Sequence, residues 1–207
     1  MRKTQELILQ TALRLFAQRG FEGVSVRDIT GELELTAPAL YVHFKSKQEI
    51  LEAILRRMEE RDGELSCQEG VPSAPLEKAP DSYAHMEMAR LVGFTLAIFR
   101  HWTEDEFAVR FRHLLTIEQY RDRRFADLFQ QYLGSGVIQY LTDIFQANFP
   151  NEDARHLAIS YYAPIFFLIQ QYDAMPTKKA KSQVIRALKS HLQDFMDRQH
   201  GKLSTNA

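Results

Sequence analysis

Only one cysteine occurs in this chain, Cys67. That excludes an internal disulfide framework and suits a reducing compartment, so the expected location is the cytoplasm. Cys67 falls in a linker-like stretch and reads as an incidental thiol rather than a redox sensor. Long apolar runs are also missing: nothing approaches the roughly 20 residues that cross a bilayer. The opening MRKTQELILQ has no extended apolar core or cleavage site, so no signal peptide and no membrane partner are expected. Nor is there a G-x-S-x-G, a P-loop or a dinucleotide glycine pattern. His85, His101, His113, His156 and His191 have no metal-ligand spacing with each other or with cysteine. Asp105 and Glu106 are better explained as first-turn helix charges. Catalysis, metal and cofactor are therefore not expected.

An excess of basic charge is lacking too. Lys and Arg number 26 against 27 acids, for a net charge of −1. Even the first 47 residues hold only seven cations (Arg2, Lys3, Arg14, Arg19, Arg27, Lys45, Lys47) against five acids. Any nucleic-acid binding must then depend on a few positioned cations rather than a broad basic patch. With 45% hydrophobic residues and 26% charged, the composition is that of an ordinary globular protein. No strand-like alternation and no internal repeat appears. The fold expected is all-α.

What is present is concentrated between Ser25 and Phe44. Ser25 stands three residues before Asp28, the spacing of a capping box. Val26, Ile29 and Leu33 then share one face at helical spacing. Glu34 and Leu35 make a turn, Thr36 is a good N-cap, and Pro38 fits the first turn of a second short helix. Leu40 and Phe44 give that helix its inward face, leaving Ala37, Pro38, Tyr41, Val42 and His43 outward or flanking. Ser46 and Glu49 repeat the capping box and open a third helix. Two short helices joined by a tight turn form a helix-turn-helix, whose second helix enters the DNA major groove. Thr36, Tyr41, His43, Lys45 and Lys47 surround its helix start with donors suited to phosphates. The candidate DNA-binding set is Ser25, Val26, Arg27, Thr36, Ala37, Pro38, Tyr41, Val42, His43, Lys45 and Lys47.

Before this motif, residues 2–18 form an amphipathic helix that Gly20 ends. After it, residues 47 to about 65 make a helix with Ile50, Leu51, Ile54, Leu55 and Met58 inward. Residues 63–82 carry Gly70, Pro72, Pro75 and Pro80 and read as a linker loop. From Tyr83 onward the pattern is helical, with breaks at Thr103, near Thr116, at Pro150 and at Pro176. Thr103 with Glu106 has capping-box spacing, Gly134 and Gly136 mark a bend or helix break, and Asn151 and Thr177 are candidate caps. The expected domains are 1–62, DNA-binding, and 83–200, C-terminal, with 63–82 between them.

The segment Ile8 to Leu51 resembles the N-terminal domain of the tetracycline-repressor (TetR) family of transcriptional regulators. The residues that carry the resemblance are Ile8, Ala12, Leu15, Phe16, Gly20, Phe21, Val24, Ser25, Val26, Ile29, Leu33, Thr36, Ala39, Leu40, Tyr41, His43, Phe44, Lys47 and Leu51. The chain departs from the family at Glu34 and Pro38, where glycine is common. The resemblance implies a dimer built from the two C-terminal helices and an effector pocket in the C-terminal domain. Aromatic-rich walls with a few polar groups suit such a pocket, so the candidates are Phe99, Trp102, Phe107 and Phe111 with His101, Arg110 and His113. The stretch YYAPIFFLI is apolar on more faces than one neighbour covers. Candidate dimer residues are accordingly Tyr161, Phe166, Ile169, Leu188, Leu192 and Phe195. The function expected is a dimeric repressor of a near-palindromic double-stranded operator, released by a largely apolar small molecule. The alternative is a regulator or adaptor whose C-terminal domain binds a protein partner instead.

Overall fold

The computed structural model describes residues 3–73, 78, 80–84 and 86–205, and every regular element among them is helical. Arg2, Pro75 and His85, assigned above to the first helix, the linker and the histidine set, lie outside the described residues. The helices are α1 (Lys3–Arg19), α2 (Val26–Glu32), α3 (Ala37–Tyr41), α4 (Lys47–Glu69), α5 (Pro80–Ala84) and α6 (Met88–Glu104). They continue with α7 (Glu106–Glu118), α8 (Arg123–Leu133), α9 (Ser135–Asn148), α10 (Ala154–Ala174) and α11 (Lys178–Thr205).

The chain divides into two compact units, and the division differs from the one expected. One unit comprises Met1–Glu64 with Glu104–Phe129, the other Leu65–Thr103 with Gln130–Ala207. Residues 104–129, expected in the C-terminal domain, therefore pack with the N-terminal helices. The reason lies on α1, which buries Leu9 and Leu13 in addition to Ile8, Ala12, Leu15 and Phe16. That stripe is too wide for α2 and α3 alone, and α7 covers the remainder with Phe107, Ala108, Phe111, Leu114 and Leu115. Arg61 of α4 ties the start of α7 down by pairing with Asp105, and its guanidinium lies 5.0 Å from the Phe107 ring centre.

Residues 63–69 are helix, not linker. Gly63 sits on an open face with nothing near it, and one exposed glycine costs a helix only about 1 kcal/mol. The true stop is Gly70. It adopts φ +64°, its N–H donates to the Cys67 carbonyl, and the Val71 N–H donates to the Ser66 carbonyl. This is the paired closure of a Schellman C-terminus, with Val71 buried beneath it. Three further boundaries move. Thr103 lies inside α6 and donates to the Phe99 carbonyl, so Asp105 caps α7 by accepting from the Ala108 N–H. The helix expected to break near Thr116 runs to Glu118. Asp153 rather than Asn151 caps α10, whereas Thr177 does accept from the Ala180 N–H ahead of α11.

The second unit is built around α10, which packs on α9 and α11. Tyr161 is its centre, 4.9 Å from the Phe195 ring and 5.6 Å from the Phe145 ring. Its hydroxyl donates to Thr95, whose own proton goes to the Leu91 carbonyl. Burial pushes the Tyr161 phenol well above its ordinary range, so it is a neutral donor. Pro164 interrupts the α10 ladder. One turn before it, the Tyr161 carbonyl receives His191 Nε2 at 2.8 Å. A carbonyl can only accept, so that ring nitrogen carries the proton.

Candidate nucleic-acid interface

Each helix of the helix-turn-helix, and α4 after it, is closed at its N-terminal end by a hydroxyl side chain. Ser25 caps α2, its hydroxyl accepting from the Asp28 N–H while the Asp28 carboxylate accepts from the Ser25 N–H at 2.7 Å. Thr30 is buried and donates to the Arg27 carbonyl. Across the turn the Leu35 N–H returns to the Thr30 carbonyl at 3.0 Å. Thr36 caps α3 through the Ala39 N–H, and Ser46 caps α4 through the Glu49 N–H. The Glu49 carboxylate reaches back to the Lys45 N–H, one residue earlier than a capping box requires. Ile29, Leu40 and Phe44 bury the inner faces.

The Ser25 hydroxyl also donates to the Asp28 carboxylate, and that bond, followed by the one from the Ser25 N–H, holds the Asp28 carboxyl below its ordinary value of 3.8, with Arg19 3.6 Å away adding to the effect. A depressed carboxyl contributes stability that is complete above the ordinary value and lost as pH falls through the depressed one. Asp28→Asn is therefore expected to flatten the acid limb of thermal stability below a pH of about 4, read by melting across that range.

Glu34 holds the turn in the left-handed region at φ +52°, the sole non-glycine described residue with a positive φ. A side chain there costs about 1 kcal/mol that glycine avoids. Glu34→Gly is expected to raise the melting temperature of this unit by about 4–8 °C. An unchanged or lower value would mean that the exposed carboxylate makes up the difference.

Most of the candidate DNA-binding side chains face outward together. Tyr41 is 49% exposed and Val42 78%, while Ser25, Arg27, Thr36, Pro38 and Lys45 are exposed as well. Ala37, Val26 and His43 are half-buried. Lys47 is the exception. Its ammonium donates to the Phe21 carbonyl at 2.8 Å, stands 3.5 Å from the Glu22 carboxylate and 4.3 Å from the Phe21 ring centre. Assigned by spacing to a phosphate, it is instead a strut within the protein. Arg14 and Arg19 are likewise taken, by Glu32 and Asp28. Among the described residues of this segment, Arg27 and Lys45 are exposed cations beside the reading helix with no carboxylate partner.

The other two candidate sets change more. Of the pocket residues, Phe99, His101 and Trp102 fall in the second unit, whereas Phe107, Arg110, Phe111 and His113 fall in the first. Phe107 and Phe111 are core against α1, Arg110 pairs with Glu106, and His113 is exposed. Of the candidate dimer residues, Tyr161, Ile169, Leu188, Leu192 and Phe195 are all buried within the chain itself, and Phe166 is half-buried. Their stripes are satisfied by α9 and by each other. The outward side of α10 carries Ile159, 45% exposed, and Phe167, 59% exposed, with exposed Ala163 between them.

Residues 8–54, the helix-turn-helix with most of α1 and the first turns of α4, match the family described as "Bacterial regulatory proteins, tetR family". That segment is a TetR-type DNA-binding domain. Among curated relatives it is similar to the HTH-type transcriptional regulator AcrR of Shigella flexneri, 34% identical over 86 residues, 41% of this chain and 40% of that protein. It is also similar to the HTH-type transcriptional regulator YuxN of Bacillus subtilis (strain 168), 40% identical over 55 residues, 27% of this chain and 19% of that protein. The chain thus spans well under half the length of these TetR-type relatives, and the likeness in sequence concerns the DNA-binding domain. A transcriptional regulator from Saccharomonospora viridis, solved in complex with choline, superposes with a TM-score of 0.61 at 21% identity, covering 95% of this chain and 97% of that one. At that identity the likeness is one of fold alone, and it runs over both units.

Proposed function

We propose that this protein is a homodimeric transcriptional repressor that reads a near-palindromic operator with α3 and is released by a small molecule bound in its second unit. The observation that carries the reading is the capped helix-turn-helix with Thr36, Pro38, Tyr41 and Val42 presented outward on one short helix. Ala37, Pro38 and Ala39 offer no side-chain hydrogen bonds, so base readout falls to Tyr41, His43 and apolar contact with thymine methyls. Positioning on the phosphates falls to Arg27 and Lys45. The second copy is supported by the Ile159–Ala163–Phe167 face, an apolar strip that α9 and α11 leave uncovered. Support for an effector comes from the aromatic wall of α6, where Phe99 stands edge-on to Tyr172 and Trp102 lies near His101 and Tyr132. The fold relative from Saccharomonospora viridis was solved in complex with choline, which agrees with a small-molecule effector.

The test is the salt dependence of DNA binding. Arg27→Ala and Lys45→Ala should each weaken binding to all sequences alike and reduce the slope of log K against log salt by about one. Tyr41→Ala should leave the slope alone and cost about 1–3 kcal/mol on the preferred sequence only. Unchanged slopes for both cation variants would refute this docking.

A further inference from the structure

Phe21 is gripped from both sides by side chains of other helices. Its N–H donates to Oε1 of Glu118, the last residue of α7, at 3.1 Å. Its carbonyl accepts from Nζ of Lys47, the first residue of α4, at 2.8 Å. Its ring lies against Phe16 and Phe125 and 5.3 Å from the Arg124 guanidinium, which itself donates to Gln48 at 2.6 Å. Four residues on stands Ser25, the cap of α2.

Glu118 is 3% exposed, and a carboxylate is a costly way to fill a core position that leucine or methionine would fill as well. Its seat is made by Gly20. A Cβ there would stand 2.3 Å from Glu118 Oε1, and Gly20 at φ +78° also closes α1 through its N–H to the Phe16 carbonyl. Arg121 Nη1, 3.6 Å from the same oxygen, compensates the charge from the solvent side. Among the described residues, its one directed hydrogen bond is to the Phe21 N–H, in the turn that leads into α2.

We propose that Glu118 is a positioning residue for DNA recognition. Together with Lys47 it clamps Phe21, so that where α7 sits relative to α4 sets the start of α2 and hence the face that α3 presents. The inference rests on the DNA-binding reading above, and its test separates the two.

The full-length protein would first be used to select a preferred duplex from random DNA. Glu118→Gln, Glu118→Met, Lys47→Met and the Glu118→Met/Lys47→Met double variant would then be compared on that duplex, after circular dichroism shows each to be folded. Glutamine keeps an acceptor for the Phe21 N–H and should bind within about threefold of wild type, whereas methionine keeps only the volume and should bind about tenfold more weakly. Because both bonds act on one residue, the double variant should be little weaker than the weaker single variant, not about a hundredfold weaker than wild type. Wild-type affinity for Glu118→Met, tenfold loss for Glu118→Gln, or losses that multiply in the double variant would each overturn the proposal. Should the methionine variant not fold, hydrogen exchange of the Phe21 amide in the wild type reads the same bond. Exchange much slower than at exposed Glu22 supports the clamp, and equal rates overturn it. A wild type that selects no DNA refutes the functional reading instead, and the exchange measurement still decides the clamp.

Discussion

With glutamate in place of both Ile159 and Phe167, the protein is expected to sediment as a monomer and to bind its operator at least about a hundredfold more weakly, because two linked heads gain 10²–10⁴ over one. Both side chains are exposed on α10, outside the buried core. The variant should therefore keep its helical signal and melt normally. Leu188→Glu makes the contrast. Leu188 is 1% exposed in the protomer core, so a carboxylate there is expected to unfold the second unit rather than release a subunit. Ultracentrifugation and melting on the two variants tell these outcomes apart. A folded monomer from Leu188→Glu, or an intact dimer from the double glutamate variant, would contradict an interface on this face of α10.

Phe111→Ala is expected to cost about 3–5 kcal/mol, the range for emptying a phenylalanine-sized site in a packed core. Phe111 is fully buried on α7, within the unit that holds the reading head. The loss should consequently appear in the stability of that head, lowering its melting by roughly 10 °C or more, and DNA binding should vanish at temperatures where the wild type still binds. Binding and helical signal followed together through a melt would check this. A variant whose DNA binding outlasts the wild type's melting would mean that α7 is dispensable to the head.

The helix-turn-helix was legible because its determinants are local. Ser25 with Asp28, Thr36 with Ala39, and Leu40 with Phe44 lie within four residues of each other, where capping and helical spacing apply directly. Lys47 was not legible, because its partner is the carbonyl of Phe21, 26 residues earlier. A lysine at a helix start reads as a phosphate donor until the three-dimensional contact is known. Glu118 is a sharper instance: its acceptor role spans 97 residues and depends on the missing side chain of Gly20. One signal was in plain view. Leu9 and Leu13 widen the α1 stripe beyond what α2 and α3 cover, and that excess announces another helix, though not which one. The C-terminal stripes failed differently. Periodicity located the apolar faces of α10 and α11 but cannot say whether a face meets its own chain or a second copy. Tyr161, Leu188 and Phe195 met their own chain, leaving Ile159 and Phe167, outside the heaviest stripe, on the surface.

The most direct measurement of DNA reading by α3 is selection of duplexes from a random library by the wild-type protein, followed by footprinting of the enriched sequence. The expected result is a near-palindrome whose half-sites lie about 34–36 Å apart or a multiple of that, each protected in the major groove, with enrichment lost on Tyr41→Ala. No enrichment over the starting library, or a footprint unchanged by Tyr41→Ala, would contradict it.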